Sequence, residues 1–231
     1  MAHNLGRPKH GLNAAALWRL VCQPICPEMV TYISDFTAGI VWCNPNLNFP
    51  HTEISSEQSS TKTRPPYNGT ISHNYNSLPT LHEFIARLIR DAKVPTATFI
   101  STVVYLTRLK ACIFPFVFHE GRCTAHRIFL SVLILTSKYL NDQSPSNKNW
   151  AQYWNAGAGN ESFWLSLRDI ARLEMQTLDL LGWNLRITEE DLYVLLEPCL
   201  KPIRHYLDWN ISEMVSGREG GVKAKGTSPS T

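Results

Sequence analysis

The chain reads as an all-α protein: one bundle of five consecutive helices, with a short helix before it and disordered linker and tail segments beside it. Three observations predict this. Residues 126–142, HRIFLSVLILTSKYLND, are apolar nearly all round, and a helix without a polar face belongs at the centre of a bundle. Residues 165–187, LSLRDIARLEMQTLDLLGWNLRI, repeat leucines at helical spacing and carry Gly182 where a left-handed cap belongs. Turn signals divide residues 78–187 at short intervals, and short links make successive helices neighbours.

Residues 1–26 have no clear period, although 14–21 suit a short helix. In residues 27–43, PEMVTYISDFTAGIVWC, Met29, Ile33, Phe36 and Ile40 recur at steps of four, three and four, which is one helix face. Pro27 suits its first turn. A helix of this length is marginal alone, so it docks on something. Residues 44–77 are rich in Pro, Ser and Asn with no apolar period. Such a stretch buries too little surface to offset its ordering entropy and reads as a disordered linker.

The main domain occupies residues 78–200. Thr80 and Glu83 fit a capping box, the hydroxyl accepting from the amide of Glu83 while the carboxylate reaches back. Leu81, Phe84, Ile85, Leu88 and Ile89 then follow the period of a helix with one apolar face. Residues 95–113 are rich in Thr and Val, which favours a strand. Phe99, Val103, Leu106 and Leu109 keep helical spacing over a length strands rarely reach, so a helix is expected. Thr124 caps the third helix, which runs to about Leu140 and is the one expected to be surrounded by the others. NDQSPSNK at 141–148 is a break. A short helix near 149–155 carries Trp150, Tyr153 and Trp154, read as core aromatics. Residues 157–160 read as a loop, and the fifth helix starts at 162 or 165 and ends near Leu181. Thr188 to Asp191 is the acidic first turn of one more short helix, stopped by Pro198. Residues 201–231 read as a mostly disordered tail, polar and rich in Gly and Ser from about Asn210.

Composition narrows the function. The 231 residues are 44% hydrophobic and 10% aromatic, as in globular proteins. A net charge of +3, with basic residues scattered, argues against a nucleic-acid partner. The longest apolar run, residues 128–135, is about half of the ~18 residues a membrane span needs. Six cysteines and no opening secretory signal fit free thiols in a reducing compartment. Cys22 and Cys26 lack zinc-ligand spacing, and no phosphate loop or nucleophile elbow occurs, so no metal or cofactor is expected.

Two charges stand out against this background. Lys138 lies near the end of the apolar third helix, and Glu174 lies among the leucines of the fifth. A charge at the rim of an apolar helix needs a partner, so the two together suggest a recognition surface with a charged pair. The alternatives are a lysine that snorkels to water and a glutamate on a solvated face. Tyr139 suits either an interface or the core. Cys123 and His126 are three residues apart and share a helix face. They admit a thiol nucleophile, but no third orienting group or oxyanion loop accompanies them, and a buried thiol beside a satisfied histidine is the simpler account. Ser144-Pro145 and Ser228-Pro229 fit proline-directed phosphorylation, a pattern also frequent by chance.

HRIFLSVLILTSKYLND followed by SPSNKNWAQYW, then LEMQTLDLLGWNLRI and DLYVLLEPCL, resembles the cyclin box. The resemblance is closest to the fungal PCL-type cyclins, subunits that activate the phosphate-system cyclin-dependent kinase. LPTLHEFIARLI and VPTATFISTVVYLTRL look like the first two helices of that box, and PEMVTYISDFTAGIVWC like the helix that precedes it. The resemblance covers about residues 27–205. It implies a regulatory subunit with no chemistry of its own, present in nucleus and cytoplasm, whose partners are that kinase and the kinase's protein substrates. It implies no nucleic acid, membrane, metal or cofactor. It also implies that Lys138 and Glu174, at the positions of the family's kinase-binding pair, contact the kinase with Tyr139 beside them. The hydrophobic substrate-docking motif of cell-cycle cyclins is not evident in the first helix. Two other readings are a cyclin-fold adaptor for transcription machinery, which wants a basic face, and a helical enzyme using Cys123 and His126.

Overall fold

In the computed structural model, residues 9–42, 79–112, 124–158 and 164–220 are described. Among them the chain forms nine helices and no strand. These are α1 (Lys9–Val21), α2 (Pro27–Trp42), α3 (Leu81–Asp91), α4 (Thr96–Cys112), α5 (Thr124–Leu140), α6 (Asn147–Ala158), α7 (Leu167–Leu180), α8 (Glu189–Leu195) and α9 (Glu197–Gly220). The expected linker at 44–77, Cys123 and Ser228 lie outside the described residues.

The five expected box helices are α3 to α7. The strand alternative for 95–113 fails, since α4 is a helix throughout. The expectation that the third box helix alone would lack a polar face needs correction. α5 is buried from Ile128 to Ser137, and α4 is buried just as fully from Thr98 to Leu106. The hydroxyls of α4 do not make a wet face because they find partners in the protein: Thr102 Oγ1 donates to Phe99 O at 2.6 Å and Thr107 Oγ1 to Val103 O at 2.7 Å, while Thr98 Oγ1 accepts from Asn141 Nδ2 at 2.9 Å. α4 and α5 therefore form a central pair, joined by the edge contact of Phe99 and Phe129 with centroids 6.4 Å apart. α2 packs on α3, α4 and α5, and its Tyr32 hydroxyl donates to Leu195 O at the end of α8.

Three helices open with the same device. Thr80 and Glu83 form the expected capping box of α3, and Ser166 with Asp169 and Thr188 with Asp191 repeat it at α7 and α8. α7 ends as Gly182 suggests, with φ +57° there. Gly182 N donates to Asp179 O and Trp183 N to Leu178 O, each at 3.0 Å, the two bonds of a Schellman cap. α6 begins at Asn147 and continues through Gly157, where a loop was expected. Gly157 is a packing glycine: the Arg87 guanidinium fills the space a Cβ there would occupy. Trp150 and Trp154 are fully buried, and Tyr153 is half-buried against the core.

Both ends of the described chain differ from expectation. Residues 9–21 form α1, which buries Ala16, Leu17 and Leu20. Pro198 does not stop the helical chain but lies in the first turn of α9, where a missing N–H costs nothing. α9 runs to Gly220, so helix occupies the first part of what read as a disordered tail at 201–231. α1 and α9 pack on each other, with Arg204 Nη1 donating to Asn13 Oδ1 at 3.1 Å and Arg19 over the Tyr206 ring at 4.8 Å.

Candidate functional site

α5 is sunk in the core until Ser137, and then three exposed residues follow: Lys138, Tyr139 and Leu140. The helix stops at Asn141, whose side-chain amide donates to Thr98 Oγ1 at 2.9 Å and to Ser137 O at 3.1 Å. Asn141 thus ties the end of α5 to α4. The hydroxyl of Ser144 donates to Ser137 Oγ at 3.0 Å, folding the following turn back onto α5.

α7 faces the core through Ile170, Leu173, Thr177 and Leu178. Thr177 Oγ1 donates to Ser131 Oγ at 2.8 Å within the core. A buried hydroxyl bond of this kind fixes where two helices cross. Two turns further along α5 and one turn back along α7, Lys138 meets Glu174. Lys138 Nζ lies 2.6 Å from Glu174 Oε1 and 2.7 Å from Oε2. The lysine side chain is 35% exposed and the glutamate 14%, so the carboxylate is the sunken member. Asn147 Nδ2, in the first turn of α6, donates to Glu174 Oε2 at 2.9 Å.

Exposed apolar side chains adjoin the pair in sequence. Tyr139 and Leu140 flank Lys138, and Met175 flanks Glu174. Leu167 and Trp164, further back along α7 and just before it, are exposed as well. Tyr139 is 48% exposed, which decides between the two readings of it against the core. Asn147 is the residue that sequence reasoning missed. Its only signal was a place in the SPSNKNW string, inside the expected break at 141–148 and three residues before a buried tryptophan.

His126 is occupied elsewhere. Its Nε2 lies 3.0 Å from Pro79 O and its ring meets Phe84 edge-on, centroids 5.1 Å apart. Burial lowers its pKa, and the hydrogen bond to the carbonyl opposes this only in part.

The rim presents donors, an acceptor and exposed apolar side chains at the edge of an all-helical fold. A sequence model of the cyclin family matches residues 27–185, and the chain belongs to that family. It is 36% identical to PHO85 cyclin-1 of Saccharomyces cerevisiae over 192 residues, 83% of this chain and 60% of that protein. It is 34% identical to PHO85 cyclin-2 and 32% identical to PHO85 cyclin-9 of the same yeast, each over 83% of this chain and 53% of theirs. The chain thus spans a little over half the length of these relatives. No solved structure matches it.

Proposed function

We propose that this protein is the regulatory subunit of a cyclin-dependent kinase of the PHO85 type, not itself an enzyme, and that it binds the kinase through the rim around Lys138 and Glu174. The observation that carries the reading is the lysine–glutamate pair, held at the end of a buried helix and flanked by Tyr139, Leu140 and Met175. The names of the relatives supply the kinase.

The mechanism follows from what a kinase lacks when alone. Its catalytic lysine–glutamate ion pair forms only when one mobile helix swings inward. A subunit that binds the inward state better shifts the population toward it. Tyr139, Leu140 and Met175 supply apolar cover for that helix. Lys138 has three protons to donate, and Glu174 orients the ammonium while keeping lone pairs free for a partner amide. Substrate choice follows from the surfaces the subunit adds beside the kinase cleft, and the complex is expected in nucleus and cytoplasm.

Co-purification tests this. The full chain is expected to capture the PHO85 kinase of S. cerevisiae and to raise its activity. The double change Lys138→Ala, Glu174→Ala is expected to abolish both while helical circular dichroism persists. Removing one member of a pair that a partner dries costs about 2–5 kcal/mol of binding. In the free protein the same pair is partly exposed and contributes about 0–1 kcal/mol to folding. Binding must therefore fall much further than stability. Full activation by the double variant would remove the proposed roles.

A further inference from the structure

We propose that Asn147 is a positioning residue of this same rim: it holds the Glu174 carboxylate in place while Lys138 turns from it toward the partner. The inference rests on the kinase-binding reading above and adds a third helix to the site.

Both oxygens of Glu174 are engaged in the free protein. Lys138 Nζ reaches both, at 2.6 and 2.7 Å, and Asn147 Nδ2 donates to Oε2 at 2.9 Å. The ammonium has three N–H donors, and each one that turns from the glutamate to a partner carbonyl weakens its hold on Glu174. A carboxylate that loses its counterion in a drying interface turns to water or costs the complex its desolvation. The Asn147 amide prevents the turn, and the first turn of α6 adds the partial positive charge of a helix N-terminus. Lys138 is the more exposed member; Glu174 is the one held from two sides.

The other end of Asn147 shows what the amide is for. Its Oδ1 is buried and makes no hydrogen bond among the described residues. A buried acceptor without a partner is costly, so a side chain kept only for packing there would be apolar. Reversing the amide would set Oδ1 against the carboxylate, so the donor end must face Glu174. The mounting is firm: Trp150, one turn further on α6, is fully buried and edge-on to Tyr153, centroids 5.9 Å apart. The SPSNKNW string thus divides into an arm, Asn147, and an anchor, Trp150. Holding the glutamate in its binding geometry before the partner arrives lowers the ordering cost of association.

The test is a double-mutant cycle on the full chain, with purified PHO85 kinase of S. cerevisiae as the probe and its dissociation constant as the readout. Asn147→Ala is expected to weaken binding about tenfold, and less than about twofold further when Glu174→Ala is already present, since neighbours in one network are not additive. Helical circular dichroism is expected to stay unchanged. Asn147→Asp sets a second carboxylate against Glu174. It is expected to weaken binding more than Asn147→Ala at neutral pH, and to recover on acidification as the two share a proton. Equal losses in both backgrounds, or full binding by Asn147→Ala where Glu174→Ala alone fails, would overturn the role of Asn147 and leave the kinase reading standing. If the kinase does not bind the chain, or binds it regardless of Lys138 and Glu174, both fall together.

Discussion

At the scale of single residues, burial sets what each polar group can do. His126 shows the consequence for pH. Its ring is neutral at neutral pH, half sunk between Pro79 and Phe84, and burial lowers its pKa. The unfolded chain keeps the ordinary histidine pKa of about 6.5. The stability this histidine contributes is therefore fully present above that value. It is lost as pH falls below it toward the folded pKa, because only the unfolded state takes up the proton. Urea midpoints at about pH 7.5 and about pH 5.5 are expected to differ in wild type, and to differ less in His126→Gln, with pH 5.5 the less stable. An equal difference in both proteins would place the acid sensitivity elsewhere. Lys138 and Glu174 were legible as candidates because charges are conspicuous in apolar helices. Asn147 was not, because an asparagine beside a turn has many uses and only the fold shows which carboxylate it meets.

At the scale of elements, caps decide where helices begin and end. α3 ends in the same pair of bonds as α7: Lys93 N donates to Arg90 O at 3.2 Å and Val94 N to Ile89 O at 2.9 Å. Here the left-handed position holds a lysine, Lys93, at φ +50°. A side chain there crowds its own backbone by about 1–2 kcal/mol, and glycine escapes this at the cost of extra freedom in the unfolded chain. Lys93→Gly is thus expected to raise stability by about 0.5–1 kcal/mol, read as a higher thermal midpoint. No gain would show that the lysine stem has packing worth as much as the strain. Thr80 and Glu83 were readable as a cap because the motif precedes an unbroken apolar period. Ser166 and Asp169 follow the same rule, but two start points for the helix were open, and the cap fell between the reading and the structure. α4 was readable as a helix but not as a central one. Its threonines look like a polar face in sequence, and only the fold shows their partners, the preceding turn for Thr102 and Thr107 and Asn141 for Thr98.

At the scale of the whole molecule, the box is closed by helices that the family match at 27–185 does not include. α1 and α9 cover each other, and this mutual dependence is why α9 was not legible and α1 only over residues 14–21. α1 has few large apolar residues and no cap signal in sequence, while α9 carries Pro198 and Pro202 and reads as a break. Pro198 falls where a helix needs no N–H, but Pro202 lies inside α9 and removes a bond there. A helix weakened in this way depends on packing more than on its own propensity. Part of that packing is α1: Leu20 is 2% exposed, Asn13 accepts from Arg204, and Arg19 covers Tyr206. Removing residues 1–22 is therefore expected to unravel α9 as well. Helical ellipticity should fall by more than the 13 residues of α1 account for, and amides across α9 should lose hydrogen-exchange protection while those of α4 and α5 keep theirs. A loss confined to α1, with α9 still protected, would show that α9 is held by α8 and its own turns, and that the clasp is a contact rather than a support.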